Sequence, residues 1–206
     1  MLETHDLACL RGDRRLFRGL NLAVQPGQLL RVEGANGAGK TSLLRLLAGL
    51  ALPAAGAVHW GGHPIRQQRE AYAQALLYLG HLGGLKDELT AAENLQIEAD
   101  LAGTPGITPE RITDALAGWG LARQARLPLR VLSAGQRRRA ALARLQLSDA
   151  TLWILDEPFN ALDVDAVAHL GRQIEAHLAR GGLAVVTSHM ALPIAPAQLL
   201  SVRLDG

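Results

Sequence analysis

The chain is poor in several things that would each mark a different kind of protein. Its 206 residues include one cysteine, Cys9. A single thiol excludes an internal disulfide framework, and no CxxC pair offers zinc-ribbon or haem-attachment spacing. The expected compartment is a reducing one. No stretch reaches the roughly 18 consecutive apolar residues of a membrane span. The start, MLETHDLACLRGDRRLF, is charged early and lacks an apolar segment of signal-peptide length. The expectation is a chain that is made and stays in the cytoplasm, free to dock on a membrane protein. Charge of one sign is also missing, since 21 basic residues face 19 acidic ones for a net charge of +2. That argues against a basic arm for nucleic acid. Aromatics are only 3% of the chain. Lysine is scarcer still: Lys40 and Lys86 are the lysines, and every other basic residue is arginine.

What is present is a 49% hydrophobic composition with ordinary charge, as in a folded globular chain with one substantial core or a core and a small subdomain. LRVEG, Leu30 to Gly34, is a short apolar run that leads into a glycine-rich loop and then the helical KTSLLRLLAGL. TLWILDEP and GLAVVTSH are two further apolar runs ending in polar residues, the pattern of parallel strands covered on both faces. Between them Val167, Leu170, Ile174 and Leu178 recur at helical spacing up to a glycine pair. Residues from about Leu89 to Leu147 show helical patterns and no good strand, which reads as a helical insertion in an α/β core. Residues 2 to 10 and 20 to 24, with GAVHWGG near residue 60, suggest antiparallel strands. No internal repeat or low-complexity linker is present.

GANGAGKTS matches G-x-x-x-x-G-K-[ST] through Gly34, Gly39, Lys40 and Thr41, with a further glycine at Gly37. Such glycines let the backbone N–H groups of Ala35, Asn36, Gly37, Ala38 and Gly39 curl around phosphate oxygens at the positive end of the next helix. Lys40 would reach the β and γ phosphates, Thr41 would bind Mg²⁺ by its hydroxyl, and Ser42 completes the motif. In a chain so biased to arginine, lysine stands where a compact ammonium on a flexible stem is needed. At the carboxyl end of the second strand lie Asp156, suited to the Mg²⁺ shell, and Glu157, suited to act as general base on an attacking water. A nucleotide polyphosphate with Mg²⁺ is therefore the expected ligand.

LSAGQRRRAALARL makes the reading specific. Leu132 to Gln136 resembles the LSGGQ signature of the ABC ATPases and lies just upstream of the acidic strand, as in that family. The resemblance covers nearly the whole chain: the phosphate loop at Gly34 to Ser42, the acidic strand at Leu152 to Asp156, Glu157, the D-loop at Ala161 to Asp163, and the switch histidine at His189. It implies a P-loop NTPase α/β fold with a parallel sheet, an N-terminal antiparallel β-subdomain and a helical subdomain. One ABC ATPase domain would fill residues 1–206, with the core in 1–85 and 149–206 and the helical subdomain in 86–148. It also implies a head-to-tail homodimer in which Ser133, Gly135 and Gln136 face the nucleotide held by the other subunit, while His189 contacts the γ-phosphate.

Two departures narrow the resemblance. The family carries a glutamine about nine positions before the helix start LT..EN; here LTAAEN begins at Leu89, Thr90 lies nine after position 81, and His81 stands in the glutamine position. Mg²⁺ prefers oxygen, so an imidazole there would orient water or couple to a partner rather than ligate the ion. A histidine at this place, a lysine five residues on at Lys86, and LSAGQ together resemble the ATPases of bacterial haem exporters in cytochrome c maturation. That branch implies a peripheral place on the cytoplasmic face of the inner membrane, membrane subunits CcmB, CcmC and CcmD, and release of the haem-loaded chaperone CcmE. The second departure is at the adenine, which many members stack on an aromatic; the position falls near Arg11, whose planar guanidinium can stack on a base. A transporter for a drug, lipid or ion would differ only in its partners. A soluble ABC ATPase acting on nucleic acid or ribosomes needs a long coiled-coil insertion or tandem cassettes, and neither is here. Arg137 to Arg139 span three faces of a helix and read as mostly solvated surface, and His5, His59, His63, His169 and His177 as ordinary surface or core residues.

Overall fold

A computed structural model of the chain describes residues 1–81, 84–189, 192 and 198–204. Two compact units make up the chain. The first comprises Met1–Tyr78, Ala150–Glu157 and Ile174–Gly206, the second Leu79–Asp149 and Pro158–Gln173.

The first unit begins with a long antiparallel pair, β1 (Leu2–Arg11) and β2 (Arg14–Val24), followed by β3 (Leu29–Gly34) and helix α1 (Lys40–Leu47). Along β1 the buried residues are Leu2, Thr4, Leu7 and Cys9, so the inward positions change from even to odd numbers. An extra residue causes this switch. Asp6 takes a left-handed φ of 46°, and the β1–β2 register slips between Thr4 and Leu7. Such a bulge lets both halves of the strand bury their apolar set. Asn21 holds it: its side-chain oxygen accepts from the Asp6 N–H at 2.9 Å, and its amide donates to the Asp6 carboxylate at 3.1 Å. On the other side, β4 (Ala55–Trp60) runs antiparallel to β1. Gly56 sits there at φ +77°, where any Cβ would overlap the carbonyls of His5 and Asp6. With β5 (His63–Pro64) this sheet has the order β2-β1-β4-β5.

Helix α2 (Arg69–Ala75) and strand β6 (Leu76–Leu79) lead to the second sheet, which also contains β7 (Leu152–Leu155), β8 (Leu183–Thr187) and β9 (Leu199–Leu204). Its order is β6-β7-β8-β3-β9, and the β7–β8, β8–β3 and β3–β9 pairs are parallel. The central strands are apolar because both faces are covered: every residue of β7 and β8 is buried. From α1, Leu43, Leu44, Leu46 and Leu47 join Val32, Ile154 and Val185 in one core. Each such leucine contributes about 2 kcal/mol by leaving water. The sequence reading anticipated β3, β7, β8 and the antiparallel strands but not α2, β6 or β9. The four residues of β6, LLYL, carry too little periodicity to choose an element.

The second unit is helical: α3 (Ala91–Ala102), α4 (Pro109–Gly118), α5 (Ala134–Leu142), α6 (Arg144–Leu147) and the first part of α7 (Val164–Ala179). Capping explains where three of them start. Thr90 with Glu93, and Ser133 with Gln136, form reciprocal capping boxes, while Thr108 caps α4 ahead of a proline in its first turn. The loop before α3 is held by Asn94, 4% exposed, whose side chain accepts from the Lys86 N–H at 2.7 Å and donates to the carbonyls of Lys86 and Thr90. Among the described residues no helix is long and apolar enough to cross a membrane.

Candidate active site

The phosphate loop joins β3 to α1, and two of its glycines are required by what surrounds them. At Gly34, φ +144°, a Cβ would lie 2.7 Å from the Leu204 carbonyl of β9; at Gly39, φ +103°, it would lie 3.1 Å from Leu16 Cβ. Backbone thus excludes a side chain at Gly34, and at Gly39 the left-handed φ and the crowding Leu16 side chain disfavour one, while Ala35, Asn36 and Gly37 between them are exposed. Helix α1 starts at Lys40 with no acidic residue in its first turn, so nothing on the helix itself offsets the positive end. The Lys40 side chain is 7% exposed and folds back over the loop. Its ammonium donates to the carbonyls of Gly34 at 2.9 Å and Ala35 at 3.2 Å. An exposed glycine-rich loop, a helix start and a buried cation together suit a polyphosphate.

At the carboxyl end of β7, Asp156 is 2% exposed and receives two hydroxyl hydrogen bonds. Thr41 Oγ1 donates to its Oδ2 at 2.8 Å, and Thr187 Oγ1 donates to its Oδ1 at 2.7 Å. The Thr187 oxygen in turn accepts the Glu157 N–H at 2.7 Å. Glu157 has a left-handed φ of 47°, uncommon for a side chain of this kind. Its Oε1 lies 3.0 Å from His189 Nε2, and the histidine side chain is 49% exposed against 18% for the glutamate. One unit therefore brings Lys40, Thr41, Asp156, Glu157 and His189 together. A hard cation fits beside Thr41 and Asp156, where a hydroxyl oxygen and a carboxylate oxygen already meet. The described residues contain no group of three or more His, Cys, Asp or Glu side chains arranged for a metal, and Mg²⁺ taken with a nucleotide needs none.

Two residues of this neighbourhood escaped the sequence reading. Thr187 is an inward residue of β8, indistinguishable by pattern from its apolar neighbours. Tyr78, in β6, is pushed above the ordinary phenol range first by burial and then by the charge of Asp156, with Arg45 opposing. Beneath α1, burial raises the Cys9 thiol, partly offset by a hydrogen bond with Ser42. Arg11, the candidate for the adenine, is an exposed residue at the end of β1 paired with Arg14. The aromatic residue beside the phosphate loop is Phe17: its Cδ1 would lie 3.5 Å from a Cβ at Gly39.

The remaining candidates lie in the second unit. Ser133 N-caps α5 and accepts the Gln136 N–H at 3.2 Å, while the Gln136 side chain accepts the Ser133 N–H at 2.9 Å. Gly135 has no room for a side chain: a Cβ would lie 2.9 Å from the Ala161 carbonyl. His81 is exposed in a turn. Of Arg137 to Arg139, Arg138 departs from the mostly solvated surface expected of them, while the Arg137 side chain is 43% exposed. Arg138 is 9% exposed, Arg137 pairs with Asp87 at 3.3 Å and Arg139 with Asp163 at 3.6 Å. A triple arginine looks like surface because unpaired charge is costly to bury, but here each guanidinium meets acceptors.

An antiparallel sheet, a parallel sheet behind a phosphate loop, and a helical unit carrying LSAGQ define an ATP-binding cassette. Solved structures agree: a putative ABC transporter ATP-binding protein from Pyrococcus furiosus, 25% identical, has a TM-score of 0.83 over 98% of this chain and 96% of its own. A dimeric cassette in a post-hydrolysis state with ADP and phosphate, 20% identical, shares the fold with a TM-score of 0.81 over 92% of this chain and 88% of its own. The sequence model of the ABC transporter family matches residues 17–160. Curated relatives are closer. The cytochrome c biogenesis ATP-binding export protein CcmA of Methylococcus capsulatus is 55% identical over 188 residues, 91% of this chain and 90% of that protein. The protein of the same name in Salmonella typhi is 48% identical over 206 residues, 100% of this chain and 98% of its own. The chain belongs to the ABC transporter family and, within it, to the CcmA ATP-binding proteins. It binds nucleotide and hydrolyses ATP to drive transport.

Proposed function

We propose that the chain is the ATPase of a haem exporter in cytochrome c maturation, working as a head-to-tail dimer with CcmB, CcmC and CcmD on the cytoplasmic face of the bacterial inner membrane, and powering release of haem-loaded CcmE. The cargo and partners rest on the relatives' name, cytochrome c biogenesis ATP-binding export protein, at 48% to 55% identity over nearly the full chain. The dimer rests on the paired cassettes among its structural neighbours. The catalytic reading is carried by one observation, the continuous set of contacts Thr41–Asp156–Thr187–Glu157–His189 beside the lysine-bearing loop.

The loop N–H groups of Ala35 to Gly39, the Lys40 ammonium and Ser42 bind the phosphates. Thr41 and Asp156 hold Mg²⁺, which when bound supplies Lewis acidity at the phosphate oxygens. Glu157 accepts a proton from water as the water oxygen bonds to the γ-phosphorus and the bond to the ADP oxygen breaks. His189, within hydrogen-bond distance of Glu157, orients that carboxylate and the water. Ser133, Gly135 and Gln136 present a helix start to the nucleotide of the second subunit. His81 orients water or couples the cassette to the membrane subunit, and Arg11 is assigned to the adenine. Glu157→Gln keeps the shape and removes the base, so hydrolysis falls by about two orders of magnitude or more while ATP binding persists and an ATP-bound dimer accumulates. Single-turnover assays and gel filtration with ATP check this. Normal turnover in the variant means that the base is a different group.

A further inference from the structure

Arg138 is a buried cation whose guanidinium meets backbone carbonyls. It lies on α5, five residues after the Ser133 cap, and is only 9% exposed. Guanidinium stays protonated in any protein environment and is costly to bury unless acceptors meet it. Three carbonyls do. Nε donates to Pro158 O at 3.3 Å, and Nη1 donates to Gly80 O at 3.5 Å and His81 O at 3.4 Å.

The choice of carbonyls is informative. One belongs to His81 and another to its neighbour, so the turn carrying this histidine is held at two successive peptides. The third belongs to Pro158, the residue after Glu157 in the chain. Glu157 needs such support because its φ of 47° is left-handed, and a following proline further restricts the residue before it. A side chain in that conformation costs on the order of 1–3 kcal/mol and persists only where its surroundings over-determine it. Thr187 secures the peptide on the near side by accepting the Glu157 N–H at 2.7 Å. Arg138 secures the next carbonyl along. Lysine could not replace it well, because a planar fork serves two segments at once and a point charge does not.

We propose that Arg138 is a positioning residue for ATP hydrolysis: its guanidinium ties the signature helix to the carbonyls of His81 and Pro158 and thereby fixes His81 and the left-handed Glu157–Pro158 turn. This rests on the assignment of Glu157 as the base. Removing the fork loosens the carboxylate after nucleotide has bound, so the loss falls on kcat and not on KM.

The test uses the full chain co-expressed with its membrane subunits, assayed for ATPase in membranes. Arg138→Met keeps the length and apolar stem without donors; Arg138→Lys keeps the charge without the fork. Expected are a kcat roughly tenfold or more lower in Arg138→Met, KM for ATP within about twofold of the parent, and an intermediate kcat in Arg138→Lys. Parental kcat in either variant overturns the proposal. So does an equal loss in both kcat and KM together with a lowered melting temperature, which marks a merely structural side chain. If Arg138→Met does not accumulate, the kcat and KM of Arg138→Lys decide alone on the same criteria. Glu157→Gln, measured alongside, separates the two ideas: a dead Glu157→Gln with parental Arg138 variants removes only the positioning role, whereas an active Glu157→Gln removes the assigned base.

Discussion

Replacing Thr187 by valine tests how the candidate site is held together. Thr187 is fully buried, and its hydroxyl both donates to Asp156 Oδ1 at 2.7 Å and accepts the Glu157 N–H at 2.7 Å. Valine keeps the branched shape and loses both contacts. A hydrogen bond to a charged group is worth about 1.5–3 kcal/mol net, and a buried N–H left without an acceptor costs about 1–3 kcal/mol. Asp156 retains the Thr41 hydroxyl, which argues for the lower part of the combined range. The expected destabilisation is therefore about 3 kcal/mol. At about 2–4 °C per kcal/mol for a chain of this size, the melting temperature falls by roughly 6–12 °C. Catalysis should suffer as well, because the left-handed peptide of Glu157 loses its near-side anchor; a kcat loss of about tenfold corresponds to only about 1.4 kcal/mol of misplacement. Thr187→Ser, which restores the hydroxyl, should recover most of the activity. Urea denaturation and steady-state ATPase measurements decide. A valine variant within about 0.5 kcal/mol of the parent, with unchanged kcat, refutes the reasoning.

The buried pair His177 and Trp153, stacked with ring centroids 3.9 Å apart, carries two more expectations. Burial lowers the His177 pKa below the ordinary 6.5, against opposing hydrogen bonds to the Leu183 and Thr151 carbonyls. Because the folded value is the lower one, its contribution is complete above the unfolded pKa and is lost as the pH falls below it toward the folded value. Stability measured by urea at about pH 7.5 and about pH 5.5 should therefore drop more for the parent than for His177→Phe; equal drops rule out this titration. Gly182→Ala sets a Cβ into the His177 ring and should cost about 1–3 kcal/mol, read as a lower denaturation midpoint, unless the ring moves freely. An unchanged midpoint shows that it does.

Much of this molecule could be read along the chain because its chemistry is local. A glycine-rich turn between a strand and a helix needs glycine, lysine and threonine within nine residues, and GANGAGKTS supplies them. Ser133 and Gln136 lie three apart, so their capping box follows from spacing alone. The acidic residues at the end of β7 were likewise visible, since a wholly buried strand announces itself as an unbroken apolar run. Short elements were harder to see: β6 is four residues, and its partner strand comes more than seventy positions later.

Tertiary structure decided the matters that depend on distant residues meeting. Asp156 and Thr41 are 115 positions apart, yet share a hydrogen bond, and nothing periodic in the chain relates them. Thr187 differs from a valine by one oxygen whose importance exists only once β8 lies beside β7. Arg138 read as surface because charge usually stays in water, and it is buried because three backbone carbonyls from two other segments converge on it. The sequence by itself determined the class of chemistry, since that chemistry requires particular side chains in short, ordered motifs. The fold determined which side chains hold those motifs in place, because support comes from whatever long-range packing brings within hydrogen-bond reach.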